Sequence, residues 1–423
     1  MENLTLTLDA GNKQPMDEQL YRCFVDDIHA GRVATGEKLP SKRALCAHLG
    51  VSVSTVETAY AMLVAEGYVI SKPQSGYYVS DFVTFDAPDV QTRCDNCFAA
   101  QPTAPSRPEF DFSTAAVDTS LFPYASWAKL NKEVVYSSPE LLQRGDRQGD
   151  ESLRRALCVF LSEYRGVRCV PEQIVVGAGM EYLTGLLAQL FHPAAVFGIE
   201  DPGYMTMYHV LRAQGRTVRF LPLDKAGVCP DAPAAQGADV LYLTPSHQFP
   251  MGVTMPASRR SQLLRWASER PERWIIEDDY DSEFRYGVRP IPAMQGMDTC
   301  GRVVYLSTFS RSLAPSVRIA YMVLPPELLA RYQALDGYQL STVSRYEQAV
   351  MARFLSEGYY ARYLRRVGNL YRRRRDALTD ALERMDGVRI SGNDGGLHFL
   401  LTNTHFPEAE LRSLALRQGI ALR

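Results

Sequence analysis

The sequence predicts an α/β protein with a mostly parallel sheet, preceded by a smaller, mainly helical N-terminal unit. From about residue 109 onward, short apolar runs alternate with stretches of helical period, an order typical of parallel sheets. Before residue 80 the helical period dominates, and residues 81–108 contain four prolines and no period. We therefore expect an N-terminal domain over residues 10–80, a linker over 81–108 and an α/β domain over 109–423. The predicted strands are 173–176, 196–200, 218–221, 240–244, 274–277, 303–307 and 319–323, with helices between several of them, for example 180–190 and 258–270.

Composition indicates an ordinary globular protein. The chain has 423 residues, 46% apolar and 22% charged, with a formal net charge of −2. No apolar run reaches the roughly 18 residues that span a bilayer. The N-terminus lacks the basic stretch and apolar core of a signal peptide, and the eight cysteines form no secretory framework. We expect a cytoplasmic protein without membrane contact, in which any nucleic-acid contact comes from a local patch.

The N-terminal unit has the layout of a winged helix-turn-helix. Leu20, Phe24 and Ile28 recur at helical spacing, and Ser41 is a candidate N-cap of a second helix. A third helix is predicted from about residue 52 to 66, with Ser54-x-x-Glu57 as a capping box. The run YVISKPQSGYYVS then predicts a β-hairpin around KPQSG.

In this layout the third helix enters the major groove by its N-terminal residues, and the hairpin is the wing. Residues 1–80 contain seven Lys/Arg against nine Asp/Glu, which is unusual for a DNA reader. A protein-interaction module is therefore the alternative from the residues alone. The candidate DNA contacts are the third-helix residues Ser52, Val53, Ser54 and Thr55, the phosphate-facing Lys42 and Arg43, and the wing-tip Lys72 and Gln74.

The same segment resembles the GntR-type winged helix over about 60 residues without a gap. The resemblance is carried by LPSKRALCAHLGVS followed by STV, AY and AEGY. It implies binding to a double-stranded DNA operator. Relatives often carry a basic residue just after the first serine of the third helix, whereas this chain has Val53. A phosphate or guanine contact is therefore expected to be missing there.

Four motifs of the α/β domain follow predicted strands and suit a phosphorylated, planar ligand. VVGAGMEYL is a strand, a glycine turn and a helix whose first N–H groups suit a phosphate. EDPGY places an aromatic ring after a strand, and WIIEDDYDSEFRY places acids at the carboxyl edge of the sheet. YLSTFSRSLAPSVR offers two hydroxyls and a guanidinium for a dianion. Taken singly, the first three have simpler explanations: a tight connection, a packing tyrosine and an acidic N-cap.

Together these motifs resemble the fold-type-I aminotransferases. With the winged helix, the chain resembles the MocR subfamily of GntR-type regulators, most specifically in LTPSHQFPMGVTMPASRR and IIEDDYDSEFRY. The resemblance implies a homodimer and a pyridoxal 5′-phosphate (PLP) pocket. In it, Asp278 would contact the pyridine nitrogen, Tyr280 and Gln248 would lie near the phenolic oxygen, Tyr204 would stack on the ring, and Thr308, Ser310, Arg318 and the amides near Met180 and Glu181 would hold the phosphate.

Residue 311 departs from this family pattern. The family places its Schiff-base lysine after TFS, and this chain has Arg311, with no lysine anywhere from 226 to 423. A guanidinium stays protonated and does not condense with an aldehyde. The chain also stops at Arg423, before the strand whose arginine binds substrate in relatives, so the small subdomain is expected to be shortened.

Three hypotheses follow. The first is a regulator whose PLP pocket holds the cofactor noncovalently or not at all, with an amine or amino-acid effector. The second is a plain DNA-binding dimer, and the third is a working aminotransferase, against which Arg311 argues directly.

Other features carry weaker hypotheses. Cys94-x-x-Cys97 is a single pair without partner ligands, so no metal site is expected. The basic segment 362–378 is read as a solvated helix face, with an auxiliary DNA contact as the alternative. His247 and His398 are assigned no acid–base role.

Overall fold

The computed structural model describes residues 8, 14–81, 108–113, 117–229, 231, 237–286, 291–335 and 340–422. The chain divides into two compact units, residues 1–105 and 106–423. Each unit is described by itself below. Apart from its two end residues, the predicted linker, with Cys94 and Cys97, lies outside the described residues.

Over residues 14–81, the N-terminal unit contains three helices and a two-stranded antiparallel hairpin. Its core is one apolar cluster that includes the predicted Leu20, Phe24 and Ile28. The hairpin pairs Val69 with Val79 and turns after Lys72. The elements are α1 (Met16–His29), α2 (Lys42–Leu49), α3 (Val53–Ala65), β1 (Val69–Lys72) and β2 (Gly76–Val79).

The helix caps confirm one sequence prediction and correct another. Ser41 caps α2, its Oγ accepting from the Ala44 amide at 3.2 Å. The capping box at Ser54 was wrong: Ser52 is the N-cap of α3, and its Oγ accepts from the Thr55 amide at 3.2 Å. Because the helix begins at Val53, Glu57 lies too far into it to reach back to the cap.

The second unit is built around an eight-stranded sheet of order β4-β11-β10-β9-β8-β5-β6-β7. Strands β10, β9, β8, β5 and β6 pair in parallel. β11 runs antiparallel to both of its neighbours, and β7 runs antiparallel to β6. The predicted α/β fold with a mostly parallel sheet is therefore confirmed. The strands are β4 (Ile174–Gly177), β5 (Val196–Asp201), β6 (Thr217–Asp224), β7 (Gly227–Val228), β8 (Val240–Leu243), β9 (Trp274–Asp278), β10 (Val303–Thr308) and β11 (Ala320–Val323).

Helices cover both faces of this sheet, which explains why its central strands read as continuous apolar runs. Every residue of β8, β9 and β10 is buried. The two largest apolar clusters of this unit hold Val176 and Val175, neighbouring residues of β4, so they lie on opposite faces of the sheet. The helices are α4 (Tyr124–Ser137), α5 (Glu151–Arg165), α6 (Met180–Ala188), α7 (Met205–Ala213), α8 (Ala257–Ser268), α9 (Met294–Met297), α10 (Pro326–Ala334), α11 (Arg345–Ser356) and α12 (Tyr359–Leu382).

The C-terminal residues form a small α+β piece. A hairpin of β12 (Val388–Ser391) and β13 (Leu400–Asn403) precedes α13 (Glu408–Arg417). A last strand, β14 (Ile420–Ala421), pairs in parallel with β3 (Phe110–Asp111). Within the described part of the chain, no helix has the length and apolar character needed to cross a bilayer.

Candidate functional site

A cavity opens at the carboxyl ends of β9 and β10, where open α/β sheets place their ligands. Its volume is about 880 Å³, including the open mouth. The structure brings nine of the ten predicted cofactor residues to this one cavity: Met180, Glu181, Tyr204, Asp278, Tyr280, Thr308, Ser310, Arg311 and Arg318. Sequence reasoning missed three further lining residues, Thr244, Phe249 and Pro315.

Asp278 ends β9 and presents a buried carboxyl group to this cavity. Its Oδ2 accepts from the Tyr242 hydroxyl at 2.5 Å, and its buried Oδ1 has no hydrogen-bond partner among the described residues. Burial raises the pKa of Asp278 to about 8, although the Tyr242 hydrogen bond acts in the opposite direction. A cationic N–H group in the cavity would satisfy Oδ1 and stabilise the carboxylate.

The next residue, Asp279, has different hydrogen-bond partners from Asp278. Its Oδ2 accepts from Arg165 Nε and from the Tyr305 hydroxyl, each at 2.6 Å. Burial is the largest single effect and disfavours its charge, but Arg165 and the hydrogen bonds from Tyr305 and Ser282 together outweigh burial, so the pKa of Asp279 lies below its usual value. Arg165 also donates to Ser246 Oγ at 2.7 Å and so joins the loops that follow β8 and β9.

Hydroxyls and a guanidinium lie together in the part of the cavity where the sequence predicts the phosphate of a ligand. Thr308 Oγ1 accepts from the Ser310 amide at 3.1 Å. Arg318 has a left-handed backbone (φ 52°), and its Nη2 donates to Glu181 Oε2 at 2.8 Å. Gly179 caps α6 at φ 100°, and a Cβ there would lie 2.1 Å from Arg318 Nη2. Glycine therefore makes room for this guanidinium.

Gln248 is the predicted site residue that the structure does not bring to the cavity. Its Nε2 donates to the carbonyls of Pro202 (2.9 Å) and Phe249 (2.7 Å), and its Oε1 accepts from the Met251 amide (3.0 Å). The amide thus holds its own loop together, and the next residue, Phe249, lines the cavity instead. The Phe249 ring packs edge-on against Tyr204, with centroids 5.7 Å apart.

Tyr280 connects the cavity to a pair of histidines, the buried His247 and the half-buried His398. Its hydroxyl donates to the His247 carbonyl at 2.9 Å. His247 Nδ1 lies 2.9 Å from Asp281 Oδ2, and the His247 and His398 rings are 4.5 Å apart. Burial, and then His247, lowers the pKa of His398 to about 4. His398 is therefore neutral near pH 7.

Arg311 lies on the cavity wall directly after Ser310 and is partly buried. Its positive charge acts on Tyr280 and on His398. Burial is the main reason why the pKa of Tyr280 lies well above its ordinary value, and Arg311 acts in the opposite direction. The guanidinium therefore electrostatically influences the inner groups of the cavity.

In the N-terminal unit, four of the predicted DNA contacts, residues 52–55, lie at the start of α3. Ser52 Oγ lies 2.8 Å from both Ser54 Oγ and Thr55 Oγ1. Val53 is 50% exposed, so an apolar side chain is presented beside these hydroxyls. Lys42 Nζ is paired with Glu57 Oε1 at 3.0 Å, and Arg43 is exposed.

Two lysines lie at the wing, Lys72 and Lys38, and the sequence analysis predicted only Lys72. Lys72 Nζ lies over the Tyr78 ring at 4.6 Å from its centroid, and Lys38 Nζ approaches the same ring at 5.8 Å. Gln74 forms the turn with φ 60°. Lys38 was missed because it lies on the segment before α2, and only its β-bridge to Tyr78 brings it to the wing.

These two units define a class of protein: a helix-turn-helix transcriptional regulator that carries an aminotransferase fold. The gntR family of bacterial regulatory proteins matches residues 17–79, and aminotransferase class I and II matches residues 110–421. The uncharacterized HTH-type transcriptional regulator YdeL of Bacillus subtilis is 40% identical over 99% of this chain and 90% of its own length. The probable rhizopine catabolism regulatory protein MocR of Rhizobium meliloti is 35% identical over 98% and 87%. The chain therefore belongs to the MocR-type regulators of the gntR family.

Solved aminotransferases share the fold of the large unit. The multiple substrate aminotransferase of Thermococcus profundus has a TM-score of 0.66 at 26% identity and covers 80% of this chain and 85% of its own. LysN, the α-aminoadipate aminotransferase of Thermus thermophilus, has a TM-score of 0.64 at 28% identity, covering 74% and 81%.

Proposed function

We propose that this regulator binds PLP noncovalently in the cavity of its large domain and that occupancy changes its affinity for operator DNA. The observation that carries the proposal is Arg311, which stands in a cavity whose other groups suit PLP. A Schiff base needs an amine that can lose its proton, and a guanidinium keeps its charge. The aminotransferase domain is therefore inactive in this proposal.

The residues of the cavity fit the cofactor. The unpartnered buried Oδ1 of Asp278 is an acceptor for a protonated ring nitrogen. At the other end, Arg318 and the hydroxyls of Thr308 and Ser310 suit a phosphate dianion. When bound, PLP supplies an electron-withdrawing ring and an aldehyde that reacts with amines.

Two relatives support this choice of ligand. The LysN structure is a complex with N-(5′-phosphopyridoxyl)-L-leucine. The pyridoxine biosynthesis transcriptional regulator PdxR of Corynebacterium glutamicum is 31% identical over 95% of this chain and 86% of its own length. The same class of ligand is proposed here.

In this proposal the winged helix-turn-helix, residues 10–80, reads the DNA. A linker over 81–108 joins it to the domain at 109–423. Ser52, the N-cap of α3, and the α3 residues Val53, Ser54 and Thr55 face the major groove. Lys42 and Arg43 contact phosphates, and Lys72 and Gln74 reach the minor groove. The chain acts as a homodimer, so its two winged helices read a repeated DNA site whose spacing follows the dimer. An amine or amino-acid effector shifts DNA affinity only by preferring one state of the dimer.

The test is a covalent-trapping experiment on the purified full-length protein. The protein is incubated with PLP, reduced with borohydride and digested, and the peptide containing residue 311 is examined by mass spectrometry. A second sample is dialysed without reduction and its absorbance is recorded. We expect PLP to bind, to leave on dialysis, and to give no adduct at residue 311.

Arg311→Lys is the matched control, because it restores an amine at the same position. It should retain PLP through dialysis and yield the reduced adduct. A trapped adduct at residue 311 of the natural chain, or steady amino-group exchange by it, would falsify the proposal. Absence of PLP binding to both proteins would equally contradict it.

A further inference from the structure

We infer that His247, Asp281 and His398 form a binding site for a divalent transition-metal ion of the zinc class. One ligand atom of each side chain lies within 4.8 Å of the other two. Zinc takes imidazole nitrogens and carboxylate oxygens as ligands, and its open sites combine three protein ligands with one free position. None of these three described residues lines the cavity proposed for PLP, and the inference does not depend on the proposed function.

The three side chains come from distant segments of the chain. His247 follows β8, Asp281 follows β9, and His398 precedes β13 in the C-terminal α+β piece. The two imidazole rings lie 4.5 Å apart, and His247 Nδ1 is 2.9 Å from Asp281 Oδ2. Two ligand atoms about 2.0 Å from one zinc ion, at tetrahedral angles, lie about 3.3 Å apart. The distance between His247 and Asp281 is therefore close to that of two ligands of one ion.

Backbone carbonyls orient both imidazole rings. His247 Nε2 lies 3.3 Å from the Gly392 carbonyl, and His398 Nε2 lies 3.2 Å from the Pro250 carbonyl. Because a carbonyl oxygen only accepts, each Nε2 carries a proton and donates it, as in most metal-binding histidines. Nδ1 of His247 then faces Asp281 Oδ2, and two such acceptors need a cation between them. A proton fills that role in the free protein, and a metal ion would displace it to solvent.

The space beside this pair is free of side-chain atoms from Gly396. A Cβ at this residue, whose φ is 66°, would lie 2.2 Å from His247 Nδ1 and 2.3 Å from Asp281 Oδ2. His247 and Asp281 also line a second cavity of about 460 Å³, including its open mouth. This cavity gives an ion a path of entry and leaves its fourth position to water. Arg285 and Asp394 line it with opposite charges, so Asp281 supplies the charge that attracts the ion.

A bound ion would join the C-terminal α+β piece to the end of the sheet. The hydrogen bonds of His247 and His398 already connect these segments in both directions. Their backbones are also close, since a Cβ on Gly252 would lie 2.5 Å from Gly392 Cα. Because the three ligands meet only in the folded chain, zinc should stabilise the folded state of the large domain.

The test is a metal titration of the full-length protein with Cys94 and Cys97 replaced by serine, because thiolates also bind zinc. After treatment with a chelator and dialysis, calorimetry should show a single zinc ion per chain and no binding of Mg²⁺, which prefers oxygen ligands. Co²⁺ should give a visible spectrum without the near-ultraviolet band that thiolate ligands produce. Zinc, but not magnesium, should raise the temperature at which the large domain unfolds.

His398→Gln in this reference protein removes one ligand and should weaken zinc binding at least about tenfold. His405→Gln is the matched control, because His405 Nε2 forms an exposed pair with Asp386 Oδ2 at 3.1 Å, and it should leave the affinity unchanged. Circular dichroism shows whether His398→Gln is folded; if it is not, Asp281→Asn, which keeps the shape of its side chain, takes its place. If neither variant folds, the Co²⁺ spectrum of the reference protein decides.

Three results would overturn this inference: no zinc binding by the reference protein, a Co²⁺ spectrum of the thiolate type, or equal zinc affinity in the reference protein and a folded ligand variant. Each of them leaves the proposed function intact, because PLP binding is measured separately.

Discussion

Arg318 and Glu181 form an ion pair in the part of the cavity that is proposed to hold a phosphate, with Nη2 and Oε2 2.8 Å apart. The side chains are 50% and 39% exposed, so the pair is weak by the standards of buried pairs. Burial opposes the charge of Glu181, but Arg318 lowers its pKa below the usual value. The Glu181 carboxylate would therefore compete with a bound phosphate for the Arg318 guanidinium.

Glu181→Gln should increase affinity for phosphorylated ligands. An exposed pair contributes about 0.2–1 kcal/mol, so we expect a gain of up to about fivefold for pyridoxine 5′-phosphate. Calorimetric titration measures the change. Pyridoxine without its phosphate is the control ligand and should bind unchanged. A decrease in phosphate affinity would instead mean that Glu181 positions Arg318 for the anion.

Asp278 should make stability dependent on pH. Its pKa is about 8 in the folded protein, above the ordinary value of 3.8. The folded state therefore holds a proton that the unfolded chain has released, and the stabilisation from Asp278 is full below pH 3.8 and is lost as pH rises through about 8. Asp278→Asn should show a smaller decline in the free energy of unfolding between these limits.

Denaturant unfolding across that pH range is the measurement. Asp386→Asn is the matched control, because the Asp386 side chain is 98% exposed. Parallel pH profiles for the natural chain and Asp278→Asn would contradict the burial argument. Asp278→Asn should also weaken pyridoxine 5′-phosphate binding, by about tenfold for the removal of a charge-assisted hydrogen bond.

Replacing Lys42 and Arg43 together by alanine should weaken binding to all DNA sequences alike. Each neutralised phosphate releases counterions, so the slope of log K against log salt should become shallower by about one unit for each side chain that no longer neutralises a phosphate. Electrophoretic mobility shifts at several salt concentrations give the slope. Arg412→Ala plus Arg417→Ala, in the large domain, is a charge-matched control. Unchanged binding by the double variant would show that this helix does not touch the DNA backbone.

Glu57→Gln tests the ion pair that holds Lys42, 3.0 Å from Glu57. In free protein the pair competes with DNA phosphates for the ammonium. The variant should therefore bind DNA more tightly and keep its full salt dependence. Weaker binding would indicate that Glu57 orients Lys42 toward the DNA.

Separate alanine substitutions of Ser52 and Ser54 should distinguish an effect on stability from an effect on DNA recognition. Ser52→Ala removes the cap of α3 and should cost about 1 kcal/mol in the free energy of unfolding of this unit. Ser54→Ala removes no cap and should leave stability within about 0.5 kcal/mol while lowering operator affinity. Thermal unfolding and DNA titration distinguish the two. Equal destabilisation by both variants would instead support a capping role for Ser54.

The strands were predictable because each central strand is covered on both faces and is therefore apolar along its whole length. All seven predicted strands occur, with ends shifted by at most a few residues. The cavity was predictable for a related reason. Its motifs each follow a strand or a glycine turn, and parallel strands bring their carboxyl ends to one edge of the sheet.

Details that depend on tertiary packing were not predictable. Arg165 and Asp279 are 114 residues apart, and nothing local couples them. Gln248 and Phe249 are neighbours, and which of them faces the cavity depends on the path of their loop. Likewise, the choice of Ser52 over Ser54 as the cap rests on a helix start displaced by two residues, which is within the ordinary uncertainty of helix ends.

Asp278 is the last residue of β9, and Asp279 follows it. These two aspartates require one particular alignment of the strand, which its apolar pattern alone does not specify. Adjacent side chains of a strand point to opposite sides. Asp278 keeps its proton at neutral pH, while Asp279 is ionised beside Arg165. A one-residue shift that brought Asp279 to the position of Asp278 would place Tyr280 beside Arg165 and leave that buried guanidinium without its carboxylate. Insertions or deletions in the segment before β9 should therefore be far less tolerated than substitutions there.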